Sequence, residues 1–227
     1  MKASILLIED EQVLGSIIAE NLVSAGFEVV HVLSGEQALK MIKNQAFEIL
    51  LLDVMMPGMN GFELAREIRQ SNGTVPILFL TSKTMPQDVV DGFESGGNDY
   101  LRKPFAMQEL VIRIKVLLSD GRLLKKMEPP GPVSIGRYQF DAIKQQLVFD
   151  LQMQQLTSRE AELLHLLYEN RQNLISKQKI LGDIWGDDNF FNSRTLDVFV
   201  TRLRKHLKRD PGVQIINVRG VGYKLVW

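Results

Sequence analysis

Hydrophobic and polar positions alternate in two different rhythms along this chain, and the change comes near residue 119. In the first rhythm, short apolar runs are separated by segments with helical spacing. The runs are Ala3 to Ile8, Phe27 to Leu33, Glu48 to Asp53, Val75 to Leu80 and the brief Tyr100-Leu101. Val13, Ile17, Ile18 and Leu22 mark a helix over 12–25, stopped by Gly26. Ser34-Gly35-Glu36 opens a second, with Ala38, Leu39, Ile42 and Phe47 on its apolar side. Phe62, Leu64, Ala65 and Ile68 mark a third, ended by Asn72-Gly73. A weaker fourth spans about 86–95, and a fifth runs from about Met107 to Leu118. Strict alternation of strand and helix predicts an α/β fold, a doubly wound five-stranded parallel sheet with right-handed crossovers. The strand order 2-1-3-4-5, one of the two common ones, puts the switch point between strands 1 and 3.

The second rhythm follows a linker over 120–133, marked by Asp120-Gly121 and Pro129-Pro130-Gly131-Pro132. Residues 134–227 are expected to form an α+β domain. Short strands of limited hydrophobicity are expected around 134–140 and 146–151. Thr157 and Glu160, three residues apart, predict a capping box ahead of a helix carrying Leu163, Leu164, Leu166 and Leu167. Ser176 opens another helix, through Ile180, Leu181, Ile184 and Trp185, and a third spans about 194–208. The last residues pattern as a hairpin, Val213 to Ile216 and Tyr223 to Val226, with Arg219-Gly220-Val221-Gly222 at its tip.

Candidate chemistry gathers at the carboxyl ends of the predicted parallel strands, where open α/β sheets hold their ligands. Under the order 2-1-3-4-5, strands 1, 3, 4 and 5 bring Glu9 and Asp10, Asp53, Thr81 and Lys103 to one edge. Strand 2 lies outermost and is expected to contribute nothing chemical. Singly, Asp53 reads equally as a helix cap, Thr81 as a turn residue and Lys103 as a surface charge. Together, on four adjacent strands, they argue for a site. Three neighbouring carboxylates repel and call for a compensating charge. With oxygen ligands and no Cys or His in that set, a hard divalent cation such as Mg2+ is the natural candidate. Asp53 is then placed as a nucleophile toward a phosphoryl group, with Thr81 and Lys103 able to meet the phosphoryl oxygens.

Composition narrows the setting. The 227 residues are 45% hydrophobic and 24% charged, as in an ordinary soluble protein. The absence of cysteine excludes disulfides, thiol catalysis and Cys-ligated metal, and suits a reducing compartment. The apolar run at the start is too short for a signal peptide, and no run approaches the ~18 apolar residues of a membrane span. A cytoplasmic protein without a membrane partner is expected. The net charge of zero hides an asymmetry, −4 over residues 1–128 and +4 over 129–227. Residues 194–224 hold eight basic and two acidic side chains. On a helix over 194–208, Leu196, Val200, Leu203 and Leu207 form the core stripe, and Arg194, Val198, Thr201, Arg202, Lys205 and Lys208 fall roughly opposite. That face is either a solvated surface or one suited to a major groove, with the hairpin's Arg219 shaped for a minor groove.

Glu9-Asp10, Asp53 with Met56-Pro57-Gly58 and Gly61, Thr81, and Asp99-Tyr100-Leu101-Arg102-Lys103-Pro104-Phe105 resemble a response-regulator receiver domain, over residues 1–119. The resemblance implies a flavodoxin-like fold in which Asp53 accepts a phosphoryl group from a sensor histidine kinase. It implies Mg2+ held by Glu9, Asp10, Asp53 and the Met55 carbonyl, and a switch pair, Thr81 and Tyr100, beside Lys103. It implies no enzyme beyond weak autophosphatase activity, and a peptide before Pro104 that is often cis. Haloacid-dehalogenase phosphatases also form aspartyl phosphates, but their Asp-x-Asp follows the first strand. Here Asp53 is on the third, with Met55 where the second Asp belongs.

Leu156-Thr157 with Glu160, Trp185-Gly186, Arg194-Thr195 through Leu203-Arg204-Lys205, and Val218-Arg219-Gly220 with Gly222-Tyr223 resemble the winged-helix effector domain of the OmpR/PhoB class. This implies promoter DNA as a partner, with RNA polymerase beside it. Arg194, Thr195, Val198, Thr201, Arg202, Arg204 and Lys205 are then expected near bases or phosphates, Arg219 in the minor groove, and Tyr223 supporting the wing. Phe199 stands where the class often has His. The resemblance also implies a phosphorylated homodimer through the helix at 86–95, the strand at Tyr100 and the following helix. Asp99, Glu109 and Arg113 lie on that face, and Val89 replaces the basic partner of Glu109. The rival reading is a receiver acting by protein contact alone, without DNA.

Overall fold

A computed structural model describes residues 2–71, 73–82, 95–118, 131–185 and 190–227, with backbone alone for 190–194. The chain forms two units, Met1–Ser119 and Asp120–Trp227. In the first unit the elements are β1 (Ser4–Ile8), α1 (Gln12–Ser24), β2 (Glu28–Val32), α2 (Gly35–Asn44), β3 (Ile49–Asp53), α3 (Gly61–Ser71), β4 (Ile77–Thr81), β5 (Asp99–Arg102) and α4 (Met107–Leu118). The five strands are parallel and lie in the order β2-β1-β3-β4-β5, as the strand–helix alternation predicts. Every residue of β3 and of β4 is buried, because helices cover both faces of the sheet.

Side-chain alternation along the strands sorts the core. Ile5, Leu7, Ile49, Leu51, Leu78, Leu80 and Leu101 face α1 and α4, which contribute Ile18, Leu22, Leu110, Ile114 and Leu117. On α3, Phe62 meets Phe79 of β4 edge to face, with centroids 5.1 Å apart. Ser34 caps α2 by accepting from the Gln37 amide. The helix expected over about 86–95, with Val89, falls almost wholly outside the described residues. So do Asn72, Gly186 and most of the expected linker.

The second unit begins with an antiparallel sheet of four strands, β6 (Val133–Ile135), β7 (Tyr138–Asp141), β8 (Gln146–Phe149) and β9 (Gln152–Gln155). Then follow α5 (Ser158–Glu169), β10 (Ile175–Ser176), α6 (Lys177–Trp185), α7 (Phe190–Leu207), β11 (Gln214–Val218) and β12 (Gly222–Val226). The capping box opens α5 as predicted, Thr157 accepting from the Glu160 amide and Glu160 from the Thr157 amide. Leu196, Val200, Leu203 and Leu207 are buried, so the expected core stripe of α7 is the observed one. The terminal hairpin gains a third strand, β10, which pairs with β12 at Ile175↔Tyr223 and Ser176↔Gly222. A Cβ at Gly222 would lie 1.8 Å from the Ile175 carbonyl oxygen, which is why only glycine allows that approach.

Candidate functional site

At the carboxyl edge of the parallel sheet, chain geometry forces the acidic residues together. β1 and β3 are neighbours in register Ile8↔Leu52, so Glu9 and Asp53 leave the sheet side by side. Glu9, Asp10 and Asp53 each offer a carboxylate oxygen, all within 4.8 Å of one another. Lys103, just past β5, reaches back across the edge, with its Nζ 2.6 Å from Glu9 and 2.9 Å from Asp53. The Lys103–Pro104 peptide is cis. Asp53 Oδ1 accepts from the Met55 amide at 3.0 Å, which fixes the carboxylate plane and leaves Oδ2 to Lys103.

One ammonium against three carboxylates leaves the pocket anionic. Burial, with the Asp53 charge adding to it and Lys103 opposing, raises the Glu9 carboxyl from 4.5 to about 7. Burial alone would depress the Lys103 ammonium, but its hydrogen bonds to Glu9 and Asp53 outweigh it and hold the pKa above its usual value. A clustered set of hard oxygen donors with surplus negative charge fits a divalent cation of the Mg2+ type.

Gly61, the first residue of α3, lets that helix begin against the end of β3. Its amide donates to the Val54 carbonyl at 3.1 Å, and a Cβ there would sit 2.2 Å from the Asp53 carbonyl oxygen. Gly61→Ala is therefore expected to push the end of β3 out of place. A thermal melt should show a lower midpoint for the first unit, and Asp53 should react more slowly with acetyl phosphate.

In the second unit, Thr201 and Lys205 on α7, Lys208 just past its end and Arg219 at the β11–β12 turn are exposed, three of the four being basic. Gly220 beside Arg219 has φ +76°, the left-handed turn conformation that glycine adopts without strain.

Known proteins match both units. The response regulator receiver domain family matches residues 5–115, and the C-terminal domain of transcriptional regulatory proteins matches 152–225. The transcriptional regulatory protein RprY of Bacteroides fragilis is 41% identical over 225 residues, covering 99% of this chain and 95% of the relative. The chain belongs to the OmpR/PhoB-type response regulators. The DNA-binding response regulator MtrA of Mycolicibacterium smegmatis is 34% identical over 226 residues, covering 99% and 97% of the two chains. The response regulator DrrB, an OmpR/PhoB homologue of Thermotoga maritima, aligns over the whole of both chains at 28% identity and a TM-score of 0.51. As a member of this class the chain is a DNA-binding regulator of a two-component system, with a kinase as partner. Among the described residues no helix is long and apolar enough to cross a membrane.

Within this OmpR/PhoB-type frame, the remaining residues expected at the receiver site fall as follows. Thr81 is fully buried at the end of β4, and Tyr100 is buried on β5, in register with Phe79. The charged residues expected on a dimer face already meet inside one chain. Arg113 of α4 contacts Asp99 at 3.1 Å and Glu109 at 2.9 Å. Although burial opposes it, that pairing raises the Arg113 pKa above its usual value.

Several expectations for α7 need correction. The helix starts at Phe190, four residues before the expected boundary. Val198, expected on an open face, and Thr195, expected near bases or phosphates, are both buried. Phe199 is fully buried, with its ring centroid 5.6 Å from that of Trp185. Arg202 does not project freely, since its Nε lies 2.8 Å from the buried carboxylate of Glu160. Arg204 donates twice to the Ile215 carbonyl, at 3.1 and 2.6 Å, and so ties α7 to β11. Tyr223 is buried and its hydroxyl donates to Asp197. Arg194 lies in α7, and its side chain is outside the described residues.

Sequence reasoning also missed participants. From β2, expected to be inert, the His31 imidazole sits 2.9 Å from the Glu9 carbonyl oxygen. Gly15 of α1 makes room for that ring, since a Cβ there would lie 2.2 Å from it. Asp197 joins Tyr223 and Lys177, and Asp210 accepts from the Arg137 and Gly212 amides. The one signal for these two was that they are the acidic residues within the basic stretch 194–224.

Proposed function

We propose that Asp53 receives a phosphoryl group from a sensor histidine kinase and that this controls promoter binding by the second domain. The observation that carries the reading is the meeting of Glu9, Asp10 and Asp53 within 4.8 Å under the Lys103 ammonium. An Asp53 carboxylate oxygen forms the bond to phosphorus as the P–N bond to the donor imidazole breaks, and the departing imidazole takes up a proton. Glu9, Asp10, Asp53 and the Met55 carbonyl would hold Mg2+, which supplies charge neutralisation at the phosphoryl oxygens when bound. Lys103 shifts from Glu9 and Asp53 to one of those oxygens, and the Thr81 hydroxyl donates to another. Slow attack by pocket water on the acyl phosphate gives weak autophosphatase activity.

Movement of Thr81 draws on the neighbouring Tyr100, and the face bearing Asp99, Glu109 and Arg113 repacks. In a dimer these charges exchange their pairing within one chain for pairing across two. Exposed pairs contribute only ~0–1 kcal/mol each, so the missing basic residue at Val89 weakens the dimer without abolishing it. Two copies then present α7 and the wing to two half-sites, where Thr201, Lys205 and Arg219 are the leading contacts. Arg194 joins them at the start of the helix, and RNA polymerase is the downstream partner. The cytoplasm is the compartment in which a kinase, DNA and polymerase are all within reach.

Sedimentation of the full chain with Mg2+, before and after beryllofluoride, tests this reading. A shift from monomer to dimer that requires Mg2+ and is lost in Asp53→Asn is the expected result. A sedimentation coefficient unchanged by beryllofluoride counts against phosphate-driven assembly.

A further inference from the structure

Asp197 is out of place by charge. It stands on α7 amid basic residues, and its side chain is 54% exposed. A carboxylate on a surface that meets phosphates weakens binding to any duplex. The other acidic residue between 194 and 224, Asp210, is buried in the turn after α7 and is accounted for by two backbone amides. Asp197 has a different set of partners, drawn from two other elements. The buried Tyr223 hydroxyl of β12 donates to its Oδ1, and the Lys177 ammonium, at the start of α6, lies 2.8 Å from the same oxygen. Lys177 also sits 5.4 Å from the centroid of the Tyr223 ring.

The same residues anchor the base of the wing. The Lys177 amide donates to the Val221 carbonyl at 3.0 Å, and Ser176 pairs with Gly222 in the β10–β12 ladder. The hairpin turn carrying Arg219 closes between Val218 and Gly222, one residue before Tyr223. Burial, reinforced by the Asp197 carboxylate, raises the Tyr223 phenol well above its usual value, so it remains a donor at any working pH. A surface ion pair alone would contribute little. Here loss of the carboxylate also strands a buried hydroxyl, which is costly.

We propose that Asp197 is a positioning residue for DNA reading, joining α7 to the wing through Tyr223 and Lys177 so that the helix and Arg219 address adjacent grooves as one body. The proposal rests on the reading of α7 and the wing as the DNA surface. Removing the carboxylate then has two effects of opposite sign. Less repulsion tightens binding to unrelated duplex, and lost registration of the wing weakens binding to a preferred one.

The test uses the full chain with two probes, a duplex enriched from a random library by the native protein, and poly(dI-dC) at the same salt. Asp197→Ala, which removes the acceptor as well as the charge, is expected to bind the enriched duplex about tenfold more weakly, with poly(dI-dC) binding equal or tighter. Tyr223→Phe keeps the ring and the net charge and should reproduce the loss on the enriched duplex. Arg219→Ala should weaken the native chain on that duplex about tenfold and cost less than about twofold in the Asp197→Ala background. Tighter binding of Asp197→Ala to both probes, or an Arg219→Ala effect of full size in both backgrounds, overturns the positioning role. An Arg219→Ala change with no effect in the native chain overturns the DNA-surface reading and the positioning role with it.

Discussion

Asp53→Asn is expected to reduce labelling by acetyl phosphate or a phosphorylated kinase domain to background while leaving the fold intact. The amide oxygen of Asn still accepts from the Met55 amide, which Asp53 does at 3.0 Å, so the loop after β3 keeps its anchor. An amide is no nucleophile toward phosphorus at neutral pH, so the loss is complete rather than graded. Lys103 gives up one partner and keeps Glu9 at 2.6 Å. Against that, one of three mutually repelling carboxylates is gone, which relieves charge in the pocket. The melting temperature should therefore be unchanged or slightly raised. Label that persists in the folded variant places the acceptor elsewhere.

The second large effect is on stability. Glu160 is fully buried, and four donors converge on it: the Thr157 amide at 2.8 Å, the Thr157 hydroxyl at 2.9 Å, Arg202 at 2.8 Å and His206 at 3.3 Å. Burial alone would raise its pKa. The His206 hydrogen bond and the Arg202 charge outweigh burial and bring it from 4.5 down to about 2. A carboxyl whose folded pKa is depressed contributes stability that is present above the unfolded value and lost as pH falls through the folded one. The second unit should thus lose this contribution between about pH 4.5 and pH 2. Glu160→Ala removes the reciprocal half of the capping box and leaves the Arg202 guanidinium and the His206 ring facing a void. Those side chains retain some access to water, so the cost falls at the low end for broken buried pairs, about 3 kcal/mol. For a unit of this size that is a fall in melting temperature of roughly 10–20 °C. Glu160→Gln keeps the volume and an acceptor for the Thr157 amide, and should cost about half as much. A Glu160→Ala melt within a few degrees of native would mean that Arg202 and His206 find other partners at no cost.

What was legible in the sequence was what local chemistry decides. Leu50-Leu51-Leu52 ahead of Asp53 reads as a central strand because only a sheet covered on both faces buries such a run, and all five residues of β3 are buried. The strand order then brought Glu9, Asp10, Asp53, Thr81 and Lys103 to one edge without any contact being known. The capping box at Thr157 was legible for the same reason, its two partners being three residues apart.

Long-range choices were not legible. β9 is Gln-Met-Gln-Gln, a strand by virtue of pairing with β8 rather than by its own pattern. β10 is two residues long and exists because Gly222 lets β12 approach it. A helical wheel placed Val198 and Arg202 on an open face, since it counts angles and not neighbours. Arg202 is drawn to Glu160, 42 positions earlier, by the need of a buried carboxylate for charge. His31 was overlooked because the outermost strand was expected to add no chemistry, and its partner is a backbone carbonyl that no sequence motif records.

The central claim is that phosphate on Asp53 controls binding to DNA. Retardation of a duplex enriched by the native chain, measured with Mg2+ and with or without acetyl phosphate, tests it most directly. The account predicts that acetyl phosphate tightens binding by the native chain and leaves Asp53→Asn unchanged. Equal binding by the native chain with and without the phosphodonor, at full labelling of Asp53, would contradict it.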